Sequence, residues 1–211
     1  IKIGVVADVA QVAAIAGGTR RQKDTTPMTE TKRSTIKRIT LQAYTYPLDD
    51  FGPSIAIFKK GGRLNVSKFI VSIETDDGHI GAYAPHFGAT GHALAQVKDM
   101  ARGLIGQDAD QREKIFERLK ISFRHYDKVG IAALDCALWD LAGKKYNASI
   151  STLLGGYRQR LPVYASTTPG QKTPGGLDSV ERYGEFAEEC RDAGISAFKI
   201  HGFFDGSTKN E

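Results

Sequence analysis

The chain has 211 residues, of which 41% are hydrophobic and 25% charged, and its formal net charge is +5. This composition is ordinary for a globular protein with a hydrophobic core. The two cysteines, Cys136 and Cys190, lie far apart in apolar helical segments, which excludes a disulfide framework and a cysteine metal site. Reduced core thiols favour a reducing, cytoplasmic setting.

The first 18 residues are apolar and small, but polar residues interrupt the run and it is too short to span a membrane. We therefore expect neither a signal peptide nor a membrane anchor there. The segment is compatible with a strand and short helix, or with sequence left over from upstream. Residues 17–30 predict a polar linker, and Met28 is a credible native start. We expect residues 1–30 to be peripheral to the fold.

The positive charge is concentrated early in the chain, at Arg20, Arg21, Lys23, Lys32, Arg33, Lys37 and Arg38. A basic cluster can bind nucleic acid and would suit a non-catalytic interaction module. No nucleic-acid motif and no interleaved aromatic residues accompany it, so a solvated linker is favoured. A mildly basic enzyme that acts on carboxylates also fits this charge.

From residue 34 onwards, alternation of β-branched and aromatic residues predicts three strands, at residues 36–46, 67–75 and 79–84. Glycine, proline and aspartate between the first two predict a loop at residues 47–63, with a short strand or lid contact at 54–58. The strands would form an antiparallel meander.

Helical periodicity follows, at residues 93–104, 108–123 and 129–145, after a second loop at 85–91. The third helix is the most apolar and contains Trp139. Asp127 is a plausible N-cap for it, and Lys144 and Lys145 suit its negative C-terminal end. Asp135 and Asp140 interrupt its apolar face, and we expect them to be solvated or salt-bridged. A short turn at residues 150–154 ends at two glycines. A meander followed by helices on one side is an α+β layer.

Residues 132–155 carry a motif, A-A-L-D-x-A-L-W-D-L-A-G-K, then four residues, then S-I-x-x-L-L-G. This motif resembles the signature of the mandelate racemase/muconate lactonizing enzyme family of the enolase superfamily. The resemblance implies that this helix closes an N-terminal capping domain and leads into a (β/α) barrel.

After Gly156 the pattern becomes a strand at 161–166, a helix at 179–193 and a strand at 196–201, which is a parallel βαβ unit. A complete barrel needs roughly 250 residues. We therefore expect an N-terminal extension at 1–33, a capping domain at 34–156 and a truncated first βαβ segment of a TIM-like barrel at 157–211. The alternative is a small independent α+β protein.

The second barrel-like strand ends in Lys199 and His201, which period-2 alternation places on one face. Catalytic groups gather at the C-terminal ends of parallel strands. There the strand opens into a pocket, so titratable side chains are not enclosed in a packed core. The family usually carries Lys-x-Lys here: the first lysine neutralises the substrate carboxylate and the second removes the proton α to it. Lys199 matches, whereas His201 departs from the pattern. It can act as a general base, contact substrate or be structural.

The resemblance further implies Mg²⁺ held by carboxylates on the third to fifth barrel strands, which lie beyond Glu211, so we expect no metal ligands within this chain. Two capping-domain loops supply specificity in the family, and Phe51 and His86 are the candidates for substrate contact. The function implied is abstraction of an α-proton by an acid-sugar dehydratase, or alternatively by a racemase or cycloisomerase. We expect a small-molecule carboxylate substrate, no membrane partner, a homo-oligomer at full length, and no activity in these 211 residues alone.

Overall fold

A computed structural model describes residues 2–8, 33–52, 58–85, 90–126, 128–167, 177 and 179–201. The chain divides into two compact units. The first contains Ile1–Tyr44 and Ser67–Tyr157, and the second contains Thr45–Val66 and Arg158–Glu211. The strands are β1 (Lys2–Asp8), β2 (Ile36–Phe51), β3 (Phe58–Thr75), β4 (Ile80–Tyr83), β5 (Ala165–Ser166) and β6 (Phe198–Lys199). The helices are α1 (Thr90–Ala101), α2 (Arg112–Ser122), α3 (Val129–Lys145), α4 (Ile150–Leu153) and α5 (Val180–Asp192), with a 3₁₀ turn at Arg102–Leu104.

The larger sheet has the strand order β1-β2-β3-β4. Strands β3 and β4 are antiparallel, with Val71 opposite Tyr83 and Glu74 opposite Ile80. The three predicted strands are present, and Lys2–Asp8 adds a fourth beside β2. The expectation that residues 1–30 are peripheral is wrong for these residues: their β-branched sequence favours a strand, and pairing satisfies backbone groups along β2. The expected linker at residues 17–30 lies outside the described residues.

The hairpin of β2 and β3 is longer than predicted, because both strands extend into the segment expected to be a loop at residues 47–63. Two turn-forming residues lie within the strands of the hairpin, each at a position of positive φ. Asp50 has φ 64° and Gly61 has φ 73°. The Gly61 amide donates to Asp50 Oδ1 at 2.8 Å. Residues 53–57, which include most of the predicted short strand, lie outside the described residues.

Helix α3 has the predicted bounds, and it supplies the centre of the core of the first unit. It buries eight residues: Gly130, Ile131, Ala133, Leu134, Ala137, Leu138, Leu141 and Ala142. All of these except Gly130 and Ala142 pack in one cluster with Ile36, Ile39 and Leu41 of β2, Phe69, Val71 and Ile73 of β3, and the inner faces of α1 and α2. Burial of this apolar surface is the main stabilising contribution to this unit.

The starts of α1 and α2 differ from prediction. Helix α1 begins at Thr90 and not at residue 93. Helix α2 begins at Arg112 and not at residue 108, because Asp108 forms an antiparallel bridge with Thr35 and its carboxylate accepts the Asp110 amide at 3.0 Å. At the start of α3, Lys128 occupies the N-cap position without a side-chain cap bond, and Asp127 lies outside the described residues.

The two aspartates of α3 have different surroundings. Asp140 accepts Lys144 Nζ at 2.7 Å and the Ala82 amide of β4 at 2.7 Å, so the expected ion pair is present. Asp135 is half-buried. Burial raises its pKa, the nearby Glu113 raises it further and Arg112 lowers it. The two bonds of Asp140 connect α3 to β4 at the edge of the sheet. Fewer backbone groups of that edge therefore remain open to pairing with other strands.

A polar network crosses the first unit beside this core. Lys145 Nζ donates to Asp110 Oδ2 at 2.5 Å and to the Ser34 hydroxyl, which in turn donates to the Asp77 carboxylate. Thr75 Oγ1 also donates to Asp77, at 2.5 Å. Two of the early basic residues are paired as well, because Lys37 and Arg38 both contact Glu74. These two cations are therefore engaged within the fold.

Strand β4 packs closely against α3 at Gly81. A Cβ atom there would lie 2.2 Å from the Ala137 carbonyl oxygen and 2.5 Å from the Leu141 backbone nitrogen. Because helix backbone cannot rotate away, we expect Gly81→Ala to lower the free energy of unfolding by about 3 kcal/mol, the upper end of the overpacking range. Urea denaturation of the 211-residue chain measures this.

The matched control is Gly103→Ala in the 3₁₀ turn, where no atom lies within 4 Å of the added Cβ. We expect this control to change stability by no more than about 0.5 kcal/mol. Equal stabilities for the two variants would show that β4 and α3 are not packed as described.

Candidate active site

The predicted strand–helix–strand order is present in the second unit, and β5 pairs with β6 in parallel, with Ala165 opposite Phe198 and Ser166 opposite Lys199. Both strands are shorter than the predicted 161–166 and 196–201. Side-chain hydrogen bonds replace the regular ladder at their C-terminal ends. Parallel pairing brings the ends of both strands to the same edge, and the candidate residues lie there.

Helix α5 supports this edge from one side. The Ser179 side chain accepts the Arg182 amide at 3.1 Å and so caps the helix N-terminus, while Gly194, with φ 84°, follows its C-terminus. The rings of Phe186 and Phe198 meet edge to face with centroids 5.9 Å apart. Phe198 thus contacts the helix, and the next residue, Lys199, extends from the opposite side of the strand.

Lys199 is exposed, and its Nζ lies 5.9 Å from the centre of the Tyr164 ring. Its backbone carbonyl accepts the Thr167 amide at 3.1 Å. Within the described part of the chain, its ammonium group forms no ion pair with a carboxylate. A weak cation–π contact leaves such a group available to an anionic ligand.

His201 is half-buried and held at three atoms. Its backbone amide donates to Thr167 Oγ1 at 3.0 Å, and its ring Nδ1 contacts the Thr167 carbonyl. Its own carbonyl accepts the Tyr183 hydroxyl of α5 at 3.3 Å. The imidazole is therefore fixed by its neighbours, as expected of a group that must present one nitrogen in a defined direction.

The two substrate-contact candidates stay predictions. Phe51 is half-buried at the end of β2, where a Cβ atom on Gly62 would lie 2.3 Å from its carbonyl oxygen. His86 lies outside the described residues. Lys199, His201 and Thr167 thus lie together at the C-terminal ends of the paired strands β5 and β6.

The described residues contain no group of three or more histidine, cysteine or acidic side chains placed to hold a metal ion. Two acidic residues from the turn and loop pairs are engaged elsewhere: Asp50 with the Gly61 amide, and Asp77 with Ser34 and Thr75. The donors present in this part of the chain do not fit a Mg²⁺ site.

Among the residues that the structure describes, no helix is long and apolar enough to cross a membrane.

The sequence pattern singled out neither Thr167 nor Tyr183, and so missed the contacts of both residues to His201. One signal was available for Thr167. It directly follows a predicted parallel strand, the type of position at which catalytic groups gather. No local pattern identifies Tyr183, because its partner lies 18 residues away.

Comparison with known proteins gives a consistent family. The sequence model described as "Mandelate racemase / muconate lactonizing enzyme, N-terminal domain" matches residues 60–155. D-galactarolactone cycloisomerase of Agrobacterium fabrum is 39% identical over 139 residues, which are 62% of this chain and 35% of that protein. 3,6-anhydro-alpha-L-galactonate cycloisomerase of Streptomyces coelicolor is 31% identical over 138 residues, 62% of this chain and 37% of that protein.

Among solved structures, D-glucarate dehydratase from Agrobacterium tumefaciens complexed with magnesium has a TM-score of 0.67 and 25% identity, over 84% of this chain and 47% of that one. L-talarate/galactarate dehydratase from Salmonella typhimurium has a TM-score of 0.58 and 21% identity, over 86% and 47%, which shows the fold alone. The chain thus spans about a third of these curated relatives (35% and 37%) and just under half (47%) of these structures. Residues 60–155 are thus identified as an N-terminal domain of the mandelate racemase/muconate lactonizing enzyme family.

Proposed function

We propose that the chain is the N-terminal part of a Mg²⁺-dependent acid-sugar dehydratase that abstracts the proton α to a carboxylate. Residues 34–156 would be the capping domain and 157–211 the first βαβ segment of a barrel that is incomplete in this chain, preceded by an N-terminal extension at 1–33 whose residues Lys2–Asp8 join the sheet beside β2. The observation that carries the proposal is the placement of Lys199 and His201 at the C-terminal end of a parallel strand, in a family whose matched members include dehydratases.

The chemistry sets the roles of these residues. When the α C–H bond breaks, its electron pair enters the carboxylate as an enediolate with two negative charges, and the proton must pass to a base. The exposed Lys199 ammonium would bind the carboxylate and offset the developing charge. A ring nitrogen of His201 would take the proton, since a histidine base suits neutral pH. Mg²⁺, when bound by residues outside this chain, would supply further positive charge at those oxygens.

Cycloisomerisation is the second candidate, and the two curated relatives favour it, because both are named as cycloisomerases at 39% and 31% identity. Both reactions can begin with the same step, removal of a proton next to a carbonyl group. They differ in mass balance: a dehydration expels one water molecule, whereas an isomerisation keeps the mass of its substrate.

A panel of acid sugars and lactones separates these functions. The protein translated from the complete reading frame is incubated with Mg²⁺ and glucarate, galactarate or galactarolactone in D₂O, and products are followed by NMR and mass spectrometry. We expect a hexarate to lose one water, so that its α-carbon becomes a ketone and the neighbouring carbon carries one solvent deuterium. An isomer that keeps every oxygen atom of its substrate would identify a cycloisomerase, and absence of both product and α-exchange with every compound would contradict the whole proposal.

The 211-residue chain alone provides the matched comparison. We expect no turnover from it, because the proposed metal ligands lie outside it, and measurable turnover would contradict the truncated barrel. We further propose a homo-oligomeric, cytoplasmic enzyme at full length.

A further inference from the structure

The parallel ladder between β5 and β6 ends in an irregular exchange at Thr167. The regular part includes bonds from the Ala165 amide to the Ala197 carbonyl at 2.9 Å and from the Thr167 amide to the Lys199 carbonyl at 3.1 Å. In a regular parallel ladder the next bond would run from the His201 amide to the Thr167 carbonyl. Instead, the His201 amide donates to the Thr167 hydroxyl oxygen at 3.0 Å.

This exchange frees the Thr167 carbonyl, and the freed carbonyl contacts Nδ1 of the His201 ring. A carbonyl oxygen can only accept a hydrogen bond, so Nδ1 must carry the proton. In the neutral ring Nε2 then holds the lone pair. The hydrogen bond at one ring nitrogen determines the protonation of the other.

We propose that Thr167 is a positioning residue whose hydroxyl replaces its own carbonyl in the ladder, so that this carbonyl fixes His201 as the Nδ1–H tautomer with Nε2 unprotonated. The role of Nε2 as the nitrogen that receives the α-proton rests on the proposed function. The tautomer itself does not, because it follows from the contacts of Thr167 alone.

The surroundings hold this arrangement in place. Thr167 is only 6% exposed, and its hydroxyl also lies 3.3 Å from the Lys199 carbonyl, to which it can donate while accepting from His201. Its single proton and one of its two lone pairs are thus used. The Tyr183 hydroxyl donates to the His201 carbonyl at 3.3 Å, so helix α5 restrains the same residue from the other side.

The test is the tautomer of His201 in the 211-residue chain labelled with ¹⁵N-histidine. Long-range ¹H–¹⁵N spectra distinguish a protonated from an unprotonated ring nitrogen, and the His201→Gln variant assigns the His201 signals by their loss. In the neutral ring we expect Nδ1 to be protonated and Nε2 to be unprotonated. An Nε2–H tautomer in the unaltered chain would overturn the proposal.

The substitution Thr167→Val removes the hydroxyl at nearly constant shape, and Thr167→Ser retains it. In Thr167→Val the His201 amide should recapture the carbonyl, so the ring loses its partner and its population shifts towards the Nε2–H form. Thr167→Ser should keep the original tautomer. Unchanged tautomer populations in Thr167→Val would show that the hydroxyl does not position the ring.

The effect of Thr167 on catalysis is tested separately from its effect on the tautomer. In the complete enzyme we expect Thr167→Val to lower kcat by about 10–100-fold, the usual effect of losing an outer-shell partner, with rescue by Thr167→Ser. If the complete enzyme shows neither turnover nor α-proton exchange although His201 is in the Nδ1–H form, the proposed function fails and the positioning role of Thr167 stands.

Discussion

Replacing Lys145 by methionine is expected to lower the free energy of unfolding by about 3 kcal/mol, because removing one partner of a buried ion pair leaves an uncompensated charge. Lys145 is 15% exposed and donates to Asp110 at 2.5 Å, with an Asp77 carboxylate oxygen at 3.8 Å. The remaining exposure places the effect at the lower end of the range for buried pairs. Urea denaturation at pH 7 measures it.

The matched control is Glu117→Gln in α2, which removes one charge from an exposed pair with Lys120 in the same unit. Surface pairs contribute between about 0 and 1 kcal/mol, so we expect a change within that range. A Lys145→Met variant as stable as the control would show that the network contributes nothing to folding.

The same network makes stability depend on pH. Burial raises the pKa of Asp77, but hydrogen bonds from Ser34, Thr75 and His79 outweigh this and hold it well below the ordinary 3.8. A carboxyl whose pKa is depressed in the folded state contributes stability above its unfolded pKa and loses it as pH falls through the folded value. This contribution is therefore complete above about pH 4 and decreases in more acidic solution.

For Lys145 the balance has the opposite sign. Burial lowers its pKa, but the hydrogen bond and charge of Asp110, with smaller contributions from Tyr146 and Asp77, raise it above the ordinary 10.5. A raised pKa contributes stability that is fully present below the unfolded value and is lost as pH rises through the folded one. Both groups thus favour the folded state across the neutral range. Asp77→Asn should flatten the loss of stability below pH 4.

The elements that sequence predicted best are those specified by local pattern. Helix α3 follows from apolar spacing, and α5 from Ser179 at its start and Gly194 at its end, because capping and periodicity act within a few residues. The segment at 47–63 was mispredicted because Asp50 and Gly61 adopt positive φ within a long hairpin, so turn-forming residues do not end the strands there.

Tertiary contacts were beyond reach for a different reason. Lys145 and Ser34 are 111 residues apart, and His201 and Thr167 are 34 apart. Nothing in the spacing of either pair indicates that they meet. The location of Lys199 and His201 at the end of a parallel strand could be predicted from alternation along that strand and its place after the helix motif, whereas their roles stay predictions, and Thr167, which contacts His201, comes from the end of the neighbouring strand.

In the complete enzyme, His201→Gln is expected to lower kcat by about a hundredfold to ten-thousandfold, the usual contribution of a general base, with little change in KM. Loss of solvent-deuterium incorporation into the product in D₂O should accompany it. A rise in KM at unchanged kcat would instead make His201 a substrate contact, and a lower urea midpoint with normal kinetics would make it structural.

Lys199→Met tests the other half of the pair, because it keeps much of the apolar stem and removes the charge. A lysine that binds the carboxylate and also offsets the developing enediolate acts more strongly in the transition state, so kcat should fall while KM rises. Controls are His125→Gln and Lys114→Met, both exposed and in the first unit. Equal loss of activity in these controls would mean that turnover depends on the total charge of the protein and not on the residues at the end of β6. If Lys199→Met changes KM alone, Lys199 only binds substrate and the charge of the enediolate is offset by groups elsewhere.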